Sequence, residues 1–218
     1  MRPDFDLDGT LVDSLQGIAA SLNDALRRSN FPMHSLETVR RFVGNGSRIL
    51  IKRALPADSS EELIDVVEQS FKEHYEKTWP QGTVAYDGLA DLLGKLQQQG
   101  YVLAVLSNKP HPFTAAMVSK IFPHIHFASV LGQRCGIPHK PDPTGALEIS
   151  QSLGFIPADC IVVGDSTMDI ETANHAGMKV IAVTWGFQDR EQLLAAGASR
   201  IVDDPAELSN AICEARSA

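Results

Sequence analysis

No apolar run in this chain approaches the length needed to span a bilayer, and no apolar stretch follows the opening Met1-Arg2-Pro3-Asp4. The first absence argues against a transmembrane helix, and the second against a signal peptide. Cysteine is scarce. Cys135, Cys160 and Cys213 are odd in number and lack metal-site spacing, which argues against a disulfide framework and a cysteine-bound zinc. They read as reduced packing cysteines, and with the missing leader they point to the cytoplasm. No Lys/Arg run is dense enough for a nucleic-acid footprint, and the formal net charge is −8. That acidity does not exclude an anionic ligand, because the net field is screened over about 8 Å at physiological salt. The seven histidines show no ligand spacing, and His139 reads as a solvated loop residue. Internal repeats and low-complexity segments are missing as well.

What is present is enough for a packed core. The 218 residues are 44% hydrophobic with both signs of charge interspersed, which suits one large domain or a domain plus a lid. Residues 15–80 read as helices only. Ile18, Leu22 and Leu26 have helical spacing over 15–28. A second helical pattern over 38–55 is interrupted at Gly44-Asn45-Gly46, and Ser59-Ser60-Glu61-Glu62 reads as a capping box that opens a third. From Tyr86 the pattern changes. Apolar runs at 101–106, 127–131, 160–163 and 180–183 alternate with helical patterns, and short elements follow at 200–202 and 205–215. Alternating strand and helix predicts a doubly wound parallel sheet. The first strand is separated from this sheet by the helical block, so the chain divides into a discontinuous core, 1–13 and 83–218, and an inserted helical domain, 14–82.

The densest chemical signal stands near the start, in Phe5-Asp6-Leu7-Asp8-Gly9-Thr10. A strand puts residues i and i+2 on one face. If a strand ends there, Asp6 and Asp8 converge at its carboxyl end, where open α/β sheets bind ligands. Paired acids at such a place can hold a metal or divide nucleophilic and acid/base work. An Asp8-Gly9 hairpin turn is the bland alternative. A calcium loop counted from Asp4 fails, because its twelfth position is Leu15. Three more predicted strand ends or loops carry polar groups: Ser107-Asn108-Lys109-Pro110, His139-Lys140-Pro141-Asp142, and Gly164-Asp165-Ser166-Thr167-Met168-Asp169. Taken singly, Ser107-Asn108 reads as a helix cap, the lone Lys140 before Pro141 as a solvated lysine and Gly164-Asp165-Ser166 as a turn with an N-cap. Taken together they put a hydroxyl, an ammonium and further carboxylates on one sheet edge. The segment ahead of Asp6 is awkward. Pro3 cannot donate to a ladder, and Asp4 shares the face of Asp6, where an unpaired carboxylate is costly. Either a short, strained first strand is expected, or the Met1-Arg2-Pro3-Asp4 start is not the native one.

These four motifs, in this order, resemble those of the haloacid dehalogenase-like hydrolases, and the match covers essentially the whole chain. Within that superfamily the chain is most similar to the phosphoglycolate phosphatases, through Val43-Gly44-Asn45-Gly46, Asn108-Lys109-Pro110 and Lys140-Pro141-Asp142-Pro143. The resemblance implies a Rossmann-like core with an inserted all-helical cap. It also implies Mg²⁺-dependent hydrolysis of a small phosphomonoester, with 2-phosphoglycolate foremost. Asp6 would be the nucleophile, Asp8 the acid/base and Lys140 a catalytic cation. Thr10, Ser107, Asn108, Lys140, Asn45 and Arg48 would meet substrate, Arg48 through a substrate carboxylate. Asp6, Asp8 (through its backbone carbonyl), Asp165 and Asp169 would hold the metal. The implied partner is a small phosphorylated metabolite, with no nucleic acid and no membrane, for a monomer or homodimer. Alternatives on the same signals are a phosphatase for sugar phosphates or other small phosphates, a phosphosugar mutase, and a non-enzymatic phospho-aspartate switch.

Overall fold

The computed structural model describes residues 1–217. In chain order its elements are β1 (Arg2–Phe5), β2 (Val12–Asp13), α1 (Leu15–Arg28), α2 (Leu36–Phe42), α3 (Ser47–Ala54), α4 (Glu61–Thr78), β3 (Val84–Ala85), α5 (Leu89–Gln98), β4 (Leu103–Pro110), α6 (His111–Ile121), β5 (Phe127–Gln133), α7 (Thr144–Ser152), β6 (Cys160–Gly164), α8 (Thr167–Ala176), β7 (Lys179–Val183), α9 (Arg190–Ala195), β8 (Ile201–Val202) and α10 (Pro205–Ser217). Two compact units result. One joins Met1–Val12 to the chain from Ala85 onward, and the other is Asp13–Val84. The chain passes between them through the paired β2 and β3.

The larger unit is built on six strands in the order β5-β4-β1-β6-β7-β8. All pairings are parallel. Strands buried on both faces need apolar residues throughout. Val105, Val162 and Val163 meet that need, flanking Asp4 and Phe5 in register. The strand order reverses beside β1, and the crevice at such a switch point is where an open α/β sheet takes its ligand. A core of Ala104, Leu106, Ala146, Ile149, Val162 and Ala173 packs α7 and α8 on the sheet.

In the helical unit, α4 stacks Phe71 on Tyr75 with centroids 5.4 Å apart and buries both, as α1 buries Leu22 and Leu26. Each is one apolar stripe of an amphipathic helix. The expected capping box before α4 is a simpler cap. Ser60 Oγ accepts the Leu63 N–H at 3.2 Å. Counted from Ser60, the position that a box fills with Glu or Gln is apolar Leu63.

Three further expectations change. Asp4 is not unpaired, because its carboxylate receives two hydrogen bonds from Arg2. Of the cysteines, Cys160 packs in the core but Cys135 is exposed. The strand over 101–106 runs on to Pro110, because Leu103–Pro110 pairs with β5 across a register shift between Leu106 and Pro110. Ser107, Asn108 and Lys109 therefore belong to a strand and not to a helix cap.

Candidate active site

Each acid owes its place to a strand end. The Asp6 N–H donates to Val163 O at 2.8 Å, carrying the β1 ladder one residue past Phe5. The chain then turns tightly, and Leu7 O accepts from the N–H of Leu11 at 2.9 Å and of Val12 at 3.0 Å. Gly9 is required twice over. Its φ of +83° belongs to the left-handed region, and a Cβ there would stand 2.3 Å from Asp165 Oδ2. Asp165 follows β6, and Asp169 lies in the first turn of α8. Lys140 comes from the loop before α7.

One carboxylate oxygen from each of Asp6, Asp165 and Asp169 gathers within 4.8 Å of the others. Lys140 Nζ stands among them, 2.6 Å from Asp169 Oδ1 and 2.9 Å from Asp6 Oδ1, and its side chain is 4% exposed. It also donates to Leu106 O at 3.2 Å. Asp169 Oδ2 accepts from the Ser166 N–H at 3.1 Å and hydroxyl at 2.6 Å. Asp165 accepts from the Thr10 hydroxyl at 3.0 Å and from the Phe187 N–H at 2.7 Å.

The charges show in the proton affinities. Burial pushes Asp165 up to about 8, aided by the like charges of Asp6 and Asp169, while the Phe187 and Thr10 donors pull it back. Burial raises Asp6 to about 6 although Lys140 opposes the rise. Burial alone would lower Lys140, but Asp169 and Asp6 hold its ammonium above the ordinary lysine value. Buried acids that repel one another at a strand end mark a place built to receive a cation or an electrophile.

Several expected site residues have other partners. Both ends of the Asn108 amide are taken by the backbone of Lys140, donating to its O at 3.2 Å and accepting from its N–H at 2.7 Å. Thr10 is fully buried and donates to Asp165. In this arrangement the two side chains orient the residues around them. Arg48 is in ion pairs with Glu61, Asp65 and Glu68 of its own unit. Its charge is already matched, which argues against a clamp for a substrate carboxylate. Asn45 Oδ1 accepts from Arg53 at 2.9 Å. Ser107 is buried, and its hydroxyl oxygen accepts the Lys109 N–H at 3.2 Å.

Two contributors escape the sequence reading. Lys109 Nζ lies 2.9 Å from both oxygens of Asp8. Strand alternation puts Ser107 and Lys109 on one face, which is the signal that points to it. The turn after β7 braces the acids. Trp185 Nε1 donates to Thr10 O at 3.0 Å, and the Phe187 N–H reaches Asp165. The carboxyl-edge rule applied to the run 180–183 leads there.

The comparisons with known proteins agree with this geometry. The family model described as haloacid dehalogenase-like hydrolase matches residues 5–183. The phosphoglycolate phosphatase of Pseudomonas putida is 33% identical over 205 residues, covering 92% of this chain and 75% of that protein. That of Psychrobacter arcticus is 35% identical over 199 residues, covering 87% and 86%. A solved structure from Lactobacillus delbrueckii subsp. bulgaricus superposes with a TM-score of 0.93 at 31% identity, covering 97% of each chain. A haloacid dehalogenase-like family hydrolase from Streptococcus pneumoniae gives 0.88 at 25% identity, covering 96% and 97%. With its acids gathered at the switch point of a parallel sheet, and with this breadth of match, the chain belongs to the haloacid dehalogenase-like hydrolases.

Proposed function

We propose that the chain is a Mg²⁺-dependent phosphatase that hydrolyses a small phosphomonoester through an aspartyl-phosphate on Asp6. The observation that carries this reading is the convergence of Asp6, Asp165 and Asp169, with Lys140 bridging Asp6 and Asp169. Its relatives named phosphoglycolate phosphatase favour 2-phosphoglycolate as the substrate.

The residues fit a hard divalent cation. The gathered donors are all carboxylate oxygens, the ligand type that Mg²⁺ takes. Among the described residues Asp6 Oδ1 is buried without an aligned hydrogen bond, although Lys140 is within ion-pair distance. Asp6, the backbone carbonyl of Asp8, Asp165 and Asp169 would hold the ion. Bound there, Mg²⁺ supplies positive charge that offsets the repulsion between Asp6 and a phosphate and polarises the phosphoryl oxygens.

That offset is needed. A carboxylate and a phosphate dianion at about 4 Å repel by roughly 8 kcal/mol at an effective dielectric near 20. Lys140 supplies the cation already present in the chain. Asp6 attacks phosphorus while the ester oxygen departs, and Asp8 hands that oxygen a proton. Asp8, now a carboxylate, takes a proton from the water that attacks the aspartyl-phosphate, which frees inorganic phosphate and restores both acids. Ser107 and nearby backbone N–H groups hold phosphate oxygens. The helical segment 14–82 is assigned the role of a cap that selects substrate and excludes bulk water. The enzyme would act in the cytoplasm as a monomer or homodimer on a phosphorylated metabolite. Among the described residues no helix is long and apolar enough to cross a membrane.

The test is a Mg²⁺-supplemented panel of phosphoglycolate, sugar phosphates, nucleotides and pyrophosphate, scored by phosphate release. Asp6→Asn should abolish turnover, and normal activity in that variant would sink the assignment. Replacing Asp8 should cost roughly 10²–10⁴-fold. Phosphate release without a phosphosugar acceptor supports the phosphatase, whereas phosphoryl transfer to an added phosphosugar in place of phosphate release would indicate a mutase instead.

A further inference from the structure

Lys109 is built into its place at several points. Its N–H donates to Ser107 Oγ at 3.2 Å, and its carbonyl accepts from the Thr114 hydroxyl at 3.1 Å. The irregular register of β4 against β5 spans this segment. The side chain is only 6% exposed, and its ammonium takes both carboxylate oxygens of Asp8, which is 14% exposed. Ordering and desolvating a lysine is unfavourable, since its rotamer freedom and its hydration are both lost. A solvated lysine on a strand end would meet no such demand.

The geometry points to Lys109 as a positioning residue for the acid/base Asp8. This inference rests on the phosphatase reading and adds a residue to it. An acid that must protonate a leaving oxygen has to present one defined oxygen of its own, and a carboxyl group on a short side chain rotates unless something holds it. An ammonium shared by both oxygens fixes the plane of the group. As the proton passes from Asp8 to the departing alkoxide, negative charge appears on Asp8, and the Lys109 ammonium lies where that charge develops. Lys109 transfers no proton. Its effect therefore scales with how much the leaving group needs one.

That dependence separates positioning from mere support. The full-length protein with Mg²⁺ is assayed on an alkyl phosphate, 2-phosphoglycolate, and on p-nitrophenyl phosphate, whose nitrophenolate leaves without a proton. For both, kcat/KM covers only the steps up to formation of the phosphoenzyme. Lys109→Met should lower the alkyl-to-aryl ratio of kcat/KM by about tenfold or more, and Lys109→Arg should restore most of it. In an Asp8→Asn background, Lys109→Met should change the alkyl ester by less than about twofold, since the residue acts through Asp8. Equal losses on both esters, losses that multiply in the double variant, or a rise in KM alone would overturn the proposal. If Lys109→Met does not fold, Lys109→Gln carries the same comparison. A wild-type protein that turns over neither ester would overturn the phosphatase reading itself, and this inference with it. Wild-type turnover with an unshifted ratio defeats only the role of Lys109.

Discussion

Arg2 and Asp4 meet inside the central strand, where the guanidinium Nε and Nη2 reach the two carboxylate oxygens at 2.8 and 2.7 Å and neither side chain has any exposure. Residues i and i+2 share a strand face, so the pair is a local consequence of the sequence Arg2-Pro3-Asp4. Burial pushes Asp4 up to about 6, against the pull of Arg2. The guanidinium carbon also lies 5.7 Å from the Phe155 ring centroid, while Nη1 has no hydrogen-bond partner among the described residues. Asp6 follows two residues later, so the strand that presents the proposed nucleophile is anchored by a buried ion pair.

Breaking the pair should be worse than replacing it. Arg2→Met leaves a buried carboxylate without its partner and should cost about 3–5 kcal/mol. The double replacement Arg2→Met/Asp4→Leu removes both charges and should recover most of that loss. Chemical denaturation midpoints of the wild type, both single variants and the double variant check this. A double variant as unstable as Arg2→Met would show that the pair does more than neutralise itself.

The parts of this molecule that follow from periodicity and edge position are legible in its sequence. The apolar spacing of Ile18, Leu22 and Leu26 predicts 15–28, and α1 is Leu15–Arg28. Asp6, Lys140, Asp165 and Asp169 are predicted on one sheet edge and lie together there. Contacts between residues distant in sequence are not legible. The partner of Lys109 is Asp8, 101 residues away. Asp4 looks unpaired only when it is compared with Asp6 and not with Arg2 on the same face. The α9 helix is short, and its cap at Asp189 follows a turn whose shape depends on Asp165.

Lys140 is the counter-charge of the cluster. Without it, three carboxylate oxygens within 4.8 Å would face one another with only hydrogen-bond donors to offset the repulsion. Lys140→Met should lower kcat by about 10²-fold or more, the scale seen when a positioned charge is taken from a reacting centre. It should also lower the melting temperature of the metal-free protein. Steady-state kinetics and thermal melts in chelator measure the two effects. A Lys140→Met variant with wild-type kcat would remove Lys140 from the chemistry.

The same cluster sets a pH dependence. Folded Asp165 titrates at about 8 and Asp6 at about 6, against ordinary values near 3.8. The folded protein thus holds protons that the unfolded chain has released. Stability from these groups is present at low pH and lost as pH rises from about 4 to about 8. Carboxylates held low by partners, such as Glu148 beside Arg134, act in the opposite direction and below this window. Metal-free wild type should therefore lose stability across the window relative to Asp165→Asn. Added Mg²⁺ should stabilise the wild type more as pH rises, because the metal competes with protons for the same oxygens. Melts from pH 5 to pH 8, in chelator and in Mg²⁺, test both signs; a parallel pair of metal-free curves would defeat the first.

Gly186 offers the sharpest test of the turn behind Asp165. A Cβ on Gly186 would stand 2.3 Å from Asp165 Cβ and 2.3 Å from Gly9 O. Neither atom is the far end of a flexible side chain, so the clash cannot relax by a rotamer change. Gly186→Ala must displace either the loop that carries Asp6 and Asp8 or the Asp165 carboxylate, and each route disturbs the oxygens proposed to hold the metal. Half-saturation by Mg²⁺ should rise by more than about tenfold, a shift of roughly 1.4 kcal/mol or more in binding free energy. Trp185→Phe is the milder control. It keeps a ring beside Tyr86 but loses the indole N–H that donates to Thr10 O at 3.0 Å, and should cost about 1 kcal/mol of stability. Its Mg²⁺ dependence should shift much less than that of Gly186→Ala. Activity titrated with Mg²⁺, alongside the Mg²⁺-induced rise in melting temperature, separates the two variants. Wild-type Mg²⁺ dependence in a folded Gly186→Ala protein would mean that the turn after β7 does not hold Asp165 in place.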